Sequence, residues 1–279
     1  ASYTRCPRIG GVAISFNEAE IVELPGITQA FILAPNERAD IAPGSFGEGV
    51  QGGVAIVGED TWSVMNAKSK LEIEWDESAA SHDDWERMIL KAQQIAEKGD
   101  GEITLKGANV DPAMADINNK TLESFYQFPY VAHVCMEPMN CTAHFKKGSG
   151  SQPDAMELWI PSQYPGDVKD IAENIFGVKK ENVKVNPTRM GGGFGRRGIH
   201  DFASEAMAIS LHSGLPVKLT WTRTDDIHND FFRVGGFQNM KAAINENGKL
   251  AAWNQHYIGF AKEGKPVSGS GLGGNEFSM

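Results

Sequence analysis

Arg189-Met190-Gly191-Gly192-Gly193-Phe194-Gly195-Arg196-Arg197-Gly198 is the stretch from which the rest of the chain is best read. Five of the eight residues from 191 to 198 are glycine, so the backbone can approach a ligand closely and aim several N–H groups one way. Val183-Lys184-Val185 before it reads as a strand, and a helix is expected from about His200 to Ser213. The loop therefore sits at a helix N-terminus, where the dipole favours negative charge. Arg196 and Arg197 oppose that dipole by about 0.3–1 kcal/mol each, a conflict that an anion lying between them and the helix would resolve. The other reading is a flexible glycine turn with solvated arginines. Gly193 to Gly198 also satisfies G-x-G-x-x-G, the dinucleotide fingerprint, which should have an acidic residue about 20 residues on. The candidate, Asp225, comes 32 residues after Gly193, and Pro187 interrupts the preceding strand. An NAD(P)-dependent dehydrogenase and a non-catalytic anion- or nucleotide-binding module stay open as alternatives.

Composition narrows the classes. At 279 residues the chain is about twice the ~150-residue domain prior. It carries 26 Lys and Arg against 36 Asp and Glu, a net charge of -10, so it lacks the basic footprint that nucleic-acid phosphates require. A hydrophobic content of 41% with 14 Phe and 6 Trp describes a globular chain. Three cysteines, Cys6, Cys135 and Cys141, with no C-x-x-C, support neither a disulfide framework, nor a structural zinc site, nor a four-thiolate cluster. No apolar run approaches the ~18 residues that mark a membrane helix.

The chain divides into three segments. Residues 1–78 read as a mixed domain with two strand-helix-strand passes. Gly11 to Phe16 is a strand, Asn17 caps a helix to Leu24, and Ile27 to Leu33 is a second strand. After a glycine-rich loop, Gly44 to Gly53, Val54 to Val57 is a strand, Asp60 or Thr61 caps a helix through Leu71, and Leu71 to Trp75 alternates. Residues 79–120 read as a connector containing an amphipathic helix, Asp83 to Lys98, that stops at Gly99. In 121–279, strands are expected at Phe125 to Met136, Met156 to Ile160, Val183 to Val185 and Pro216 to Arg223, with a helix from Pro165 to Phe176. The fold class is α+β.

Two further motifs lie upstream of the glycine loop: Ala132-His133-Val134-Cys135-Met136-Glu137-Pro138-Met139-Asn140-Cys141-Thr142-Ala143 and Trp159-Ile160-Pro161-Ser162-Gln163. Alone, each is compatible with ordinary core packing. In this order, with Pro216 to Arg223, Asp225-Asp226-Ile227 and Asp230-Phe231 following, the chain resembles the molybdenum-binding subunits of the xanthine dehydrogenase and aldehyde oxidoreductase superfamily, isoquinoline 1-oxidoreductase beta subunits and their aldehyde dehydrogenase relatives above all. Arg5-Cys6-Pro7 and Gly10-Gly11 are similar to that family's α/β hammerhead domain. The resemblance implies part of a hammerhead domain followed by the first part of a molybdopterin-binding domain.

It also implies a molybdenum-molybdopterin cytosine dinucleotide held without protein ligands to the metal. Gly192, Gly193, Phe194 and Gly195 would form the backbone loop beside it, Arg196 and Arg197 would serve its phosphates, Gln163 would lie near it, and His133 and Glu137 would line or support the pocket. The implied reaction is hydroxylation of an N-heterocycle or aldehyde. Electrons would leave through a [2Fe-2S] cluster on a separate small subunit and, further on, a cytochrome c. Gly198 stands where the xanthine-oxidising branch has Glu, and Val131 and Ala132 where it has Gln, which disfavours a purine. The family's base is a Glu in a Gly-Glu-Pro segment, and no Gly-Glu-Pro occurs here. The opening Ala1 to Pro7 and the end, Gly269 to Met279, which closes no element, read as mid-domain sequence. The remainder of a large subunit is therefore an expected partner, with the complex placed in the periplasm by resemblance and the cytoplasm as the alternative.

Overall fold

The computed structural model describes residues 1–35, 49–99, 101–107, 110–262, 265–266 and 272–278. In chain order the elements are β1 (Ser2–Arg5), β2 (Val12–Phe16), α1 (Glu18–Val22), β3 (Ile27–Leu33), β4 (Gly53–Gly58), α2 (Thr61–Lys68), β5 (Ile73–Asp76), α3 (Trp85–Lys98), β6 (Glu102–Lys106), α4 (Val110–Ala115) and β7 (Lys120–Phe128). Then follow β8 (Asn140–Lys146), β9 (Ala155–Ile160), α5 (Asp167–Phe176), β10 (Val183–Pro187), α6 (Asp201–Ser213), β11 (Val217–Thr220), α7 (Arg223–His228), β12 (Gly236–Ile244), β13 (Leu250–Lys262), β14 (Lys265–Pro266) and β15 (Leu272–Ser278). They form two compact units, Ala1–His82 with Ala132–Phe231, and Asp83–Val131 with Phe232–Met279. The fold is mixed α+β, as the sequence leads one to expect.

In the first unit, helix boundaries follow local chemistry. Asp60 accepts the Ser63 N–H at 2.9 Å and starts α2, a cap of the kind that contributes about 1 kcal/mol. Left-handed Gly177 and Gly214 end α5 and α6. Strands β1, β4 and β3 form one antiparallel sheet and β2 pairs with β5. A second sheet runs β10-β9-β8-β11, in which only β9 and β10 are parallel. Helix α6 is buried from Asp201 to Ser210. Its Phe202, Ala206, Met207 and Ile209 share one apolar core with Leu158, Ile160, Cys141 and Leu219 of the sheet.

The second unit contains the sheet β6-β15-β13-β12-β7, with β14 paired to β13. Residues 79–120, expected as a connector, supply this unit with α3, β6 and α4. Asp84 caps α3 through the Arg87 N–H at 2.9 Å, and Gly99 closes it at φ +66°. The helix lays Trp85, Met88, Ala92 and Ala96 against Phe237 and Ile258 of the sheet.

Two expectations change. The strand expected over Phe125 to Met136 starts earlier and stops at Phe128, because Pro129 has no N–H for a ladder and the chain then turns. The end of the chain, expected to close no element, carries β15, with Leu272–Ser278 paired antiparallel to β13; ahead of it β12 and β13 form a hairpin around Asn245 to Gly248, with Gly248 at φ +72°. Half of the expected loop Gly44 to Gly53, residues 44–48, lies outside the described residues.

Candidate functional site

The topology of the β8-β9-β10 sheet brings the three motifs together. Parallel β9 and β10 end side by side, with Ile160 opposite Pro187, so Trp159 to Gln163 and the glycine loop leave from one edge. Strand β8 runs antiparallel to β9, so the segment His133 to Met139 arrives at that same edge. The carboxyl ends of parallel strands are where α/β sheets place ligands. The glycine loop leaves the second strand of the β9-α5-β10 unit and the sheet continues on antiparallel strands, an arrangement unlike the dinucleotide fold.

Arg197 ties the three motifs into one body. Its side chain is 0% exposed. Nε donates to the Gly192 carbonyl at 2.9 Å, Nη1 to Pro161 O at 3.2 Å, and Nη2 to Glu137 O at 2.7 Å and Glu137 Oε2 at 3.1 Å. Glu137 Oε2 also accepts the Gly191 N–H at 2.7 Å, and the Glu137 N–H returns a bond to Gly191 O. A Cβ on Gly191 would lie 2.5 Å from the Glu137 Cβ, so only glycine permits this approach. Asn140 spends its amide on Glu137 Oε1 and the Pro138 carbonyl. Gln163 completes the arrangement, its N–H donating to Arg197 O and its Oε1 accepting the Gly195 N–H at 2.9 Å.

Arg196 turns the other way, into a buried chain of charges. Its guanidinium grips Asp201 bidentately, at 2.9 and 3.0 Å, and its Nε lies 2.9 Å from Asp230. Asp201 also accepts from Arg5 of β1 at 2.8 Å. Arg5 in turn meets Glu205 at 2.5 Å, and Glu205 takes the Trp221 indole N–H at 2.8 Å. Burial alone would raise the Asp201 carboxyl, but Arg196 and Arg5 outweigh it and hold the group below the usual carboxylate range. Burial pushes Glu205 up despite Arg5.

These contacts correct the expected role of both arginines. The conflict between cations and a helix N-terminus is real, but the anion that resolves it is the protein's own Asp201, in the first turn of α6. Neither guanidinium is presented to a phosphate. Asp201, Asp230 and Glu205 are the partners that sequence reasoning missed.

What the loop presents outward is backbone. Gly192 and Gly195 adopt φ +104° and +97°. The N–H groups of Gly192, Gly193 and Phe194 have no acceptor among the described residues. Among the described residues only Val134 and Phe194 hold positive φ without being glycine, at +47° and +53°. Each such residue costs about 1–3 kcal/mol, and strain of this kind gathers at functional sites. The two segments touch where Cys135 Sγ meets Gly193 O at 3.5 Å. Burial raises the Cys135 thiol, so it is not a nucleophilic thiolate at neutral pH. Among the described residues no three His, Cys, Asp or Glu side chains gather closely enough to hold a metal ion. A cofactor that brings its own metal ligands and offers hydrogen-bond acceptors fits this cradle; phosphates on Arg196 and Arg197 do not.

Beneath the cradle, His200 Nε2 lies 2.7 Å from Ser162 Oγ, and its buried Nδ1 has no partner. Burial lowers the pKa of His200, with Asp167 and Asp201 acting against the shift. Below the ordinary histidine value of about 6.5, the unfolded chain takes up a proton that the folded chain refuses. Stability therefore falls as pH drops from about 6.5 through the lower folded value. His200→Gln, whose amide can still reach Ser162, is expected to flatten the dependence of the melting temperature on pH between 6.5 and 5. An unchanged slope contradicts the assignment.

Residues 91–261 match the family of the molybdopterin cofactor-binding domain. The chain is 26% identical over 265 residues to the isoquinoline 1-oxidoreductase subunit beta of Brevundimonas diminuta, covering 85% of this chain and 32% of that protein. It is also 26% identical over 205 residues to a membrane-bound aldehyde dehydrogenase of Gluconacetobacter polyoxogenes, covering 73% of this chain and 26% of that protein. Among solved structures, quinoline 2-oxidoreductase from Pseudomonas putida 86 shares the fold with a TM-score of 0.61 at 13% identity, covering 99% of this chain and 40% of that one. The chain thus spans between a quarter and a third of the length of these two curated relatives.

Proposed function

The chain belongs to the molybdopterin cofactor-binding domain family, and from that premise we propose that it builds one wall of the cofactor site in a molybdenum hydroxylase. The observation that carries this reading is the cradle itself. Three motifs are locked together by Arg197, and the backbone N–H groups of Gly192, Gly193 and Phe194 are left without acceptors among the described residues.

When bound, the molybdenum cofactor supplies a two-electron acceptor and the means of placing a water-derived oxygen on an electrophilic carbon. The residues of this chain hold and shield. Gly192, Gly193 and Phe194 offer hydrogen-bond donors to the pterin and the groups around the metal, and the glycines let those donors approach closely. Gln163 fixes the loop through the Gly195 N–H, and Glu137 fixes it through Gly191. The exposed Phe194, 65% accessible, and Met136, 86% accessible, provide apolar surface beside the cradle.

The finer reading is a cytosine dinucleotide form of the cofactor, an N-heterocycle or aldehyde as substrate, and electrons passed to a separate [2Fe-2S] subunit and then a cytochrome c. The names of the curated relatives support the substrate classes. Three cysteines without a C-x-x-C fit a cluster carried elsewhere. The proton-accepting carboxylate is assigned to the part of the subunit that this chain does not span, and the complex to the periplasm. Turnover of an N-heterocycle or aldehyde panel by the complete enzyme in H218O decides the reaction class. Label in the product supports hydroxylation with water oxygen, whereas unlabelled product, or oxidation dependent on NAD, overturns it.

A further inference from the structure

His133 is held twice by one carboxylate. Its backbone N–H donates to Asp230 Oδ2, and its ring Nδ1 lies 3.1 Å from both Asp230 oxygens. Asp230 is itself buried, its side chain 1% exposed, and is braced by the Arg196 Nε at 2.9 Å, with Arg196 locked on Asp201. A carboxylate so placed offers only acceptors, so Nδ1 carries the hydrogen. In the neutral ring that makes Nε2 an acceptor of fixed direction, the logic by which a buried Asp sets the tautomer of a catalytic histidine.

Nε2 is left over. It has no hydrogen-bond partner among the described residues, yet it is not among the buried unpartnered atoms, so it opens to solvent. The ring as a whole is only 12% exposed. One ring nitrogen is thus clamped and the other faces solvent. The residue after it, Val134, is forced to φ +47°. Arg223 pins the next two carbonyls, Cys135 O at 2.7 Å and Met136 O at 2.9 Å. Cys135 touches Gly193 of the cradle. The segment is therefore over-determined from several sides, as strained functional segments are.

We propose that His133 Nε2 is a ligand contact of the cradle, accepting a hydrogen bond from an N–H or O–H donor on the bound cofactor or substrate, and that Asp230 is its positioning residue. This rests on the cofactor-site reading. The test uses the assembled enzyme containing this chain. His133→Asn keeps an amide where Nδ1 meets Asp230 but removes Nε2, whereas His133→Gln places a polar atom near Nε2 and gives up the Asp230 contact. Asp230→Asn donates toward the ring and reverses the tautomer.

His133→Asn and Asp230→Asn are each expected to lower kcat/KM by about 10–100-fold, the usual cost of such outer contacts. The double variant should be no worse than the singles, and His133→Gln should retain more activity than His133→Asn. Molybdenum and pterin content, measured in parallel, separates the two donors: reduced loading identifies the cofactor, and full loading with a raised KM identifies the substrate. If His133→Asn fails to assemble, imidazole rescue of His133→Ala decides, with restored turnover expected. Loading and kcat/KM within twofold of wild type in His133→Asn, or no rescue, overturn the proposal. Wild-type enzyme without molybdenum overturns instead the reading on which it rests.

Discussion

Arg197→Met is expected to destabilise the protein by roughly 3–5 kcal/mol, the range for removing one partner from a buried, fully bonded charge. The substitution keeps the bulk of the stem but deletes the guanidinium that satisfies Gly192 O, Pro161 O and Glu137 O. It also leaves the Glu137 carboxylate without its cation. Each carbonyl stranded away from water costs about 1–3 kcal/mol unless solvent reaches it. The measurable result is a sharp loss of soluble, assembled enzyme or a lowered thermal midpoint. A phosphate-binding arginine on the surface would behave differently: the protein would stay folded and lose only ligand affinity. Retained stability with weakened cofactor binding would therefore reverse the inward assignment of Arg197.

Asp201→Asn is the second large effect, again roughly 3–5 kcal/mol. The isostere preserves shape but removes the charge shared by Arg5 and Arg196, two guanidinium groups that are 6% and 1% exposed as residues. It also removes the acid that complements the first turn of α6, a smaller loss of about 0.3–1 kcal/mol. Because Asp201 is held below the usual carboxylate range, its contribution is fully present above about pH 4 and is lost as pH falls through the lower folded value. Lys147→Ala, which breaks an exposed pair with Asp154, serves as the contrast, with a change of no more than about 1 kcal/mol. Equal effects from the two substitutions would show that the buried network contributes nothing special.

Much of the fold is legible in the sequence because the signals are local. Apolar runs at Ile27 to Leu33, Val54 to Val57 and Met156 to Ile160 become β3, β4 and β9, and Asp60, Asp84, Gly99 and Gly214 mark helix ends by their own backbone chemistry. The hairpin of β12 and β13 is not read from the sequence, although Asn247-Gly248 is a turn signal between the two strands.

The site divides along the same line. That Glu137 and Gln163 meet the glycine loop is implied by the family resemblance, and the strand order explains it physically; His133 pairs with Asp230 instead. Which way Arg196 and Arg197 point is not readable locally, because direction depends on partners at Asp201, Asp230 and Glu137, and on Arg5, 191 residues before Arg196. The positive charge on the loop is evident in the sequence, whereas the anions that meet it, Asp201 and Glu137, lie inside the protein.

We propose that the backbone N–H groups of Gly192, Gly193 and Phe194 hold a molybdopterin cofactor. Molybdenum and pterin quantified on the intact enzyme that contains this chain test it most directly. Close to one molybdenum and one pterin per chain are expected, with cytosine nucleotide released on hydrolysis. An enzyme correctly folded and assembled but holding neither molybdenum nor pterin would contradict it.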